Sequence, residues 1–144
     1  MKINQLSVFL ENKPGQVRTA CQVLADAGIN IVTLSLADSK QFGILRLIVP
    51  EWEKAKQLLE AAGWVVNATE VIALEVADQP GGLVEVLAAA DREHLNLEYM
   101  YAFACDRQGK AALVFRFENP DAALRALQAA GINAVSPVEL FRRP

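Results

Sequence analysis

Two stretches decide the fold: Glu11-Asn12-Lys13-Pro14-Gly15-Gln16-Val17 and Ala77-Asp78-Gln79-Pro80-Gly81-Gly82-Leu83. Each ends a run of alternating apolar residues, turns through Pro-Gly, and opens a segment whose apolar residues recur at helical spacing. Superposing the two Pro-Gly pairs sets an offset of 66 positions, from Pro14 to Pro80, and the flanks then agree. Leu6, Val8 and Leu10 fall on Ile72, Leu74 and Val76. Val17, Ala20, Cys21 and Leu24 fall on Leu83, Val86, Leu87 and Ala90, and Asn30 falls on Asn96. Later, Ala61-Ala62-Gly63 matches Ala129-Ala130-Gly131 at an offset of 68, so the second copy carries two extra residues. A hairpin turn at 106–110 is the expected place for them, because extra residues cost little there. Self-similarity of this length marks a duplicated unit.

Working outward from the loops, each copy reads once. Residues 5–11 and 71–77 alternate with period two, as half-buried strands do. Residues 14–27 and 80–93 carry apolar positions at i, i+3, i+4 and i+7, the stripe of an amphipathic helix, with Pro in the first turn. Gly28, and His94 in the second copy, follow where a left-handed cap is expected. Strand pairs are expected at 29–37 with 42–49 and at 95–104 with 110–117. Second helices follow at 51–62 and 119–130, and last strands near 64–70 and 132–141. The order strand, helix, strand, strand, helix, strand is that of ferredoxin-like units, α+β in class, with an antiparallel sheet and both helices on one face. The units divide at 1–69 and 70–144. No Gly or Pro interrupts the run from Trp64 to Val76, so no flexible linker separates them. The sheet faces away from the helices need cover, from a partner sheet or a second chain.

Composition narrows the function. The chain of 144 residues is 53% hydrophobic and 22% charged, which is globular. A net charge of −3, with no basic run, gives no footprint for nucleic acid. No apolar window is long enough for a membrane span and the first residues carry no signal peptide, so a cytoplasmic protein is expected. Cys21 and Cys105 lack metal or redox spacing, Cys21 on an apolar helix stripe and Cys105 nearer the surface by a turn. The single His94 has no cluster around it, so neither a metal site nor a triad is expected, and no cofactor. Arg46, alone in an apolar strand, reads as an edge or solvent-facing residue, with a carboxylate clamp as the functional alternative. Alternation puts Tyr99, Tyr101 and Phe103 on one face of their strand and Met100 on the other. Glu51, Glu53, Lys54, Lys56 and Glu60 form a solvated helix face.

The loops carry the chemistry. The first N–H groups of a helix lack intrahelical partners and sit at the positive end of its dipole. A glycine there lets an anion approach the backbone. Asn12 or Asp78 then stands ready to accept from an ammonium group, and carboxylate plus ammonium describes an amino acid. The plainer reading is that Asn12 and Asp78 are helix caps and Pro-Gly is turn chemistry.

The pattern (Asn/Asp)-x-Pro-Gly before an amphipathic helix that ends in Ala27-Gly28-Ile29-Asn30-Ile31 or Glu93-His94-Leu95-Asn96-Leu97 resembles the ACT domain. The likeness runs from residue 3 to residue 141 as two successive ACT units, like small stand-alone tandem ACT proteins. It implies a non-catalytic, allosteric module that binds a small amino acid between neighbouring units, with strand–helix loop and second-strand start as the contacts. Carried over, these are Leu10, Asn12, Lys13, Pro14, Gly15 and Asn30, and Val76, Asp78, Gln79, Pro80, Gly81 and Asn96. Some relatives have a polar residue where Leu10 and Val76 stand, so an aliphatic, branched-chain or other small ligand is favoured. Asp78 would repel a carboxylate, which makes the Asn12 loop the better site. The resemblance also implies a homodimer through sheet or helix faces and a regulated enzyme in trans. A ligand-free scaffold and a ferredoxin-like enzyme are the rival readings.

Overall fold

Alternation in the first residues builds β1 (Ile3–Glu11), and Pro14-Gly15 turns the chain into α1 (Gln16–Asp26). Then come β2 (Thr33–Ser39), β3 (Phe42–Ile48), α2 (Trp52–Ala61) and β4 (Val65–Ala77). The second copy supplies α3 (Gly82–Arg92), β5 (Leu97–Arg107), β6 (Lys110–Phe117), α4 (Pro120–Ala129) and α5 (Pro137–Phe141). The structure, a computed structural model, describes residues 2–107 and 109–142, with the backbone alone at 39 and 104–107. The side chain of Cys105 therefore lies outside the described residues. The chain forms two compact units: one is Asn4–Thr69, the other runs from Glu70 onward and takes Lys2 and Ile3. The uninterrupted run from Trp64 to Val76 becomes one continuous strand of 13 residues, β4, with residues in both units.

In the first unit the strand order is β2-β3-β1-β4, the ferredoxin-like arrangement, with β1·β3 and β2·β3 antiparallel. The alternation works as expected. Leu6, Val8 and Leu10 of β1 and Leu45 and Leu47 of β3 point to one face, against Ala20 and Leu24 of α1 and Ala55 and Leu59 of α2. Each large side chain so buried contributes roughly 1.5–3 kcal/mol. The opposite face buries Gln5, Ser7, Thr33 and Ile48 and carries Arg46 between Ser7 and Ser35. Arg46 is not at an edge, since β3 is flanked by β1 and β2, and it is half-buried.

In the second unit β4, β6 and β5 follow in order, all antiparallel. Ile72, Leu74, Phe115 and Phe117 pack with Val86, Ala90, Ala123 and Leu127, the two Phe rings stacked at 5.9 Å. Met100 packs on this core, as its place in the alternation required. The opposite face buries Val71, Ala73, Ala112 and Val114 completely.

The last strand expected near 132–141 is reduced to a single bridge, Leu74 to Ala134, with Val135 N–H donating to Ala73 at 2.8 Å. The chain then enters α5, because Ser136 Oγ accepts from Glu139 N–H at 3.2 Å and Pro137 suits the first helical position. The two extra residues are not in the hairpin turn either. Ser39 pairs with Phe42 and Arg107 with Lys110, three positions apart in both copies. The register instead shifts in β5 between Ala102 and Asp106, so a bulge absorbs the insertion.

Candidate functional site

Both loops have the same backbone. Lys13 N–H donates to Glu11 at 2.9 Å, as Gln79 does to Ala77. Asn12 N–H donates to Gln41 at 3.0 Å, and Asp78 N–H to Gly109 at 2.9 Å, so each loop is tied to the hairpin of its own unit. Pro14 and Pro80 stand in the turn ahead of the helix rather than in its first turn. The residues just ahead of the helices, at their N-caps, are Gly15 and Gly81, with φ of 91° and 86°, in the left-handed region.

The capping reading makes a specific demand that neither loop meets: α1 and α3 have no side-chain cap. Asn12 uses its amide nitrogen elsewhere, donating to the Lys40 carbonyl at 3.0 Å across the β2–β3 hairpin. That orientation leaves Oδ1 as an acceptor. A carboxylate has no N–H to make the same bond, so Asp78 cannot be held in this way. Beyond the glycines, Gln16 N–H donates to Lys13 at 3.4 Å and Thr19 N–H to Gly15 at 3.0 Å. The N–H groups of Val17 and Arg18 between them have no acceptor among the described residues, and neither do those of Leu83 and Val84. A Cβ on Gly15 or Gly81 would meet nothing within 4 Å, so the approach to these helix starts is open.

The other expected residues are distributed unevenly. Lys13 is exposed and paired with Glu11 at 3.0 Å. Gln79, Pro80, Pro14 and Asp78 are exposed. Leu10 (2% exposed) and Val76 (7%) belong to the two cores, so their aliphatic character reports packing and says nothing of a ligand's side chain. Asn30 and Asn96 are exposed and sit past the far ends of α1 and α3. An 11-residue helix spans about 16 Å, so within one unit Asn30 does not meet Asn12, nor Asn96 Asp78. Asn96 Nδ2 donates to Glu118 at 3.3 Å. His94 takes the positive φ, 53°, that its match to Gly28 (72°) requires.

Among the described residues no group of three His, Cys, Asp or Glu could hold a metal ion. Cys21 is half-buried, and desolvation pushes its thiol pKa up, away from thiolate chemistry. Among the described residues no helix is long and apolar enough to cross a membrane.

Comparison with known proteins bears on the family and the fold. The family model of the ACT domain pair matches residues 1–141. Protein BT0572 from Bacteroides thetaiotaomicron has a crystal structure similar to this chain, at 35% identity and a TM-score of 0.92, over 99% of this chain and 98% of that one. The regulatory subunits of aspartate kinase from Thermus thermophilus (ligand-free form; 17% identity, TM-score 0.64, 88% and 91% of the chains) and Thermus flavus (17%, 0.61, 89% and 92%) share the fold. No curated protein sequence matches this one. The chain belongs to the ACT domain family, as an ACT domain pair.

Proposed function

We propose that this ACT pair is a non-catalytic regulatory module that binds a small amino acid, and that the Asn12–Gly15 loop is the better of its two sites. The observation that carries the reading is the helix start of α1: two N–H groups without acceptors among the described residues, behind a glycine whose Cβ position is open space. A ligand carboxylate there gains charge-assisted hydrogen bonds of about 1.5–3 kcal/mol each. Asn12 Oδ1 accepts from the ammonium group, held in place by the bond to Lys40. The second loop offers the same backbone with a negative side chain, and binds more weakly or serves as structure.

Regulation needs a second state and a target. We propose a regulated enzyme in trans as the target, and coupling of ~1–3 kcal/mol is within reach of a few such hydrogen bonds. We further propose that the protein is a homodimer, paired through the outer edge of β2. Thermal shift against the common amino acids at millimolar concentration tests the ligand reading. One small amino acid should raise the melting temperature, and Asn12→Asp should weaken that response about tenfold or more in concentration. If none of the amino acids shifts the transition, the binding reading is wrong.

A further inference from the structure

The two copies part company behind the first helix of each unit. In the first unit Gln16 sits against Trp64, whose indole N–H donates to Oε1 at 3.5 Å. At the matching positions the second unit has Gly82 and Ile132. A Cβ on Gly82 would overlap the carbonyl oxygen of Ala77, so with this backbone no side chain can stand there. Beside Gly82 and Ile132 lies a cavity of about 470 Å³, walled by β4, the start of α3, the beginning of β6, the chain from Gly131 to Val135, and α5. That volume is within the ~300–1,000 Å³ of small-molecule pockets.

The chemistry of the wall has changed along with its shape. Lys110 and Asn133 line the cavity where the first copy has the apolar Phe42 and Val65. Val76, Val86 and Val135 give it buried apolar ground. A hole left by lost side chains alone would be apolar and would close up or stay dry. This one has an apolar floor and a rim of charges, the composition of a ligand pocket. Two exposed carboxylates, Glu85 of α3 and Glu139 of α5, stand on the rim, with Lys110 as the one cation among the lining residues.

We propose that this cavity of the second unit, lined by Gly82 and Ile132, binds a small organic cation with amine or guanidine groups. The carboxylates of Glu85 and Glu139 take the cationic groups, and Lys110 takes a carboxylate where the ligand has one. The site is independent of the Asn12 loop, which lies in the other unit.

Backbone amide chemical shifts of the full chain test this, with 1,4-diaminobutane and arginine as probes and sodium chloride at matched ionic strength as control. Both probes should saturate and move the amides of Gly82, Ile132 and Asn133; a stronger response to arginine would assign a carboxylate to Lys110. Glu85→Gln with Glu139→Gln should weaken binding about tenfold or more. Ile132→Trp, restoring the residue of the first copy, should fill the cavity and abolish the response while circular dichroism stays unchanged. Asn12→Asp should leave the cation response intact, which separates failure of this site from failure of the loop. Absence of saturable shifts, equal shifts with sodium chloride, or full binding in the Glu85→Gln, Glu139→Gln protein would overturn the proposal.

Discussion

Gly15 shows how one residue can serve backbone and ligand at once. Its φ of 91° is strained for any L side chain, although a Cβ would meet no neighbour within 4 Å. Gly15→Ala should therefore cost about 1–2 kcal/mol through strain alone. The check is the urea midpoint at unchanged m-value, which reports stability without a change of compactness. The need for a glycine was legible in the sequence, because Pro-Gly before an amphipathic stripe is a local signal. His94 was legible for the same reason: the register placed it on Gly28, and it takes the left-handed conformation that this match implies. The bond from Asn12 to Lys40 was not legible, since it joins residues 28 positions apart and depends on where the hairpin folds back. Read locally, Asn12 had only two roles, cap or ligand group; packing supplied a third.

At the scale of elements, the four longer helices start in two different ways. Asn119 caps α4, its side chain accepting from Ala122 N–H at 3.1 Å, with Pro120 at the first position. The equivalent α2 begins at Glu51 with no side-chain cap. Asn119→Ala should thus cost about 1 kcal/mol, and Glu51→Ala much less, in parallel denaturant titrations. Next to that cap, Lys2 reaches Asp121 at 2.9 Å and Glu70 at 3.2 Å. The hydrogen bond from Lys2 holds the Asp121 carboxyl below the ordinary range, and the bonds to Asp121 and Glu70 hold the Lys2 ammonium above its own. The stability due to Asp121 is therefore present above the unfolded carboxylate pKa and lost as pH falls through the folded value. That of Lys2 is present at neutral pH and lost as pH rises through its raised value. Unfolding midpoints of the wild type and Asp121→Asn should differ at neutral pH and converge in acid; a constant difference down to the lowest pH would refute the linkage. Elements also show where repetition misleads. Residues 132–141 were expected as a strand because they match 64–70, yet Ser136-Pro137-Val138-Glu139 carries a helix-start signature of its own, and the local signal prevailed. The bulge in β5 was hidden for the opposite reason: an offset counts the inserted residues but cannot choose between turn and strand.

At the scale of the molecule, two units that share a pattern have diverged in what they leave exposed. The cavity of the second unit is lined at two positions whose exchange is visible in the register, Gln16 to Gly82 and Trp64 to Ile132, but the volume between the packed elements is not. The sheet edges differ as well. β5 ends the order in its unit and shifts register twice, between Leu97 and Tyr99 and between Ala102 and Asp106; such bulges discourage pairing with another chain. β2 ends the order in the other unit, and its register with β3 is unbroken from Thr33 to Ser39. Its Leu34 and Leu36 are 47% and 55% exposed, and its one charged residue, Asp38, lies near its end. A regular, apolar and almost uncharged edge is a template for an added strand. A second copy meeting it about a two-fold axis would pair β2 with itself in antiparallel fashion, which closes the assembly at two. Leu36→Lys should then break the dimer, by placing like charges near one another across the axis and removing apolar contact. Sedimentation velocity over a concentration series reads the outcome: the wild type should sediment as a dimer and Leu36→Lys as a monomer, with circular dichroism unchanged. The matching control, Ala102→Lys on the bulged edge of β5, should leave the dimer intact. A wild type that stays monomeric at high concentration, or a Leu36→Lys protein that still dimerises, would rule out pairing through β2.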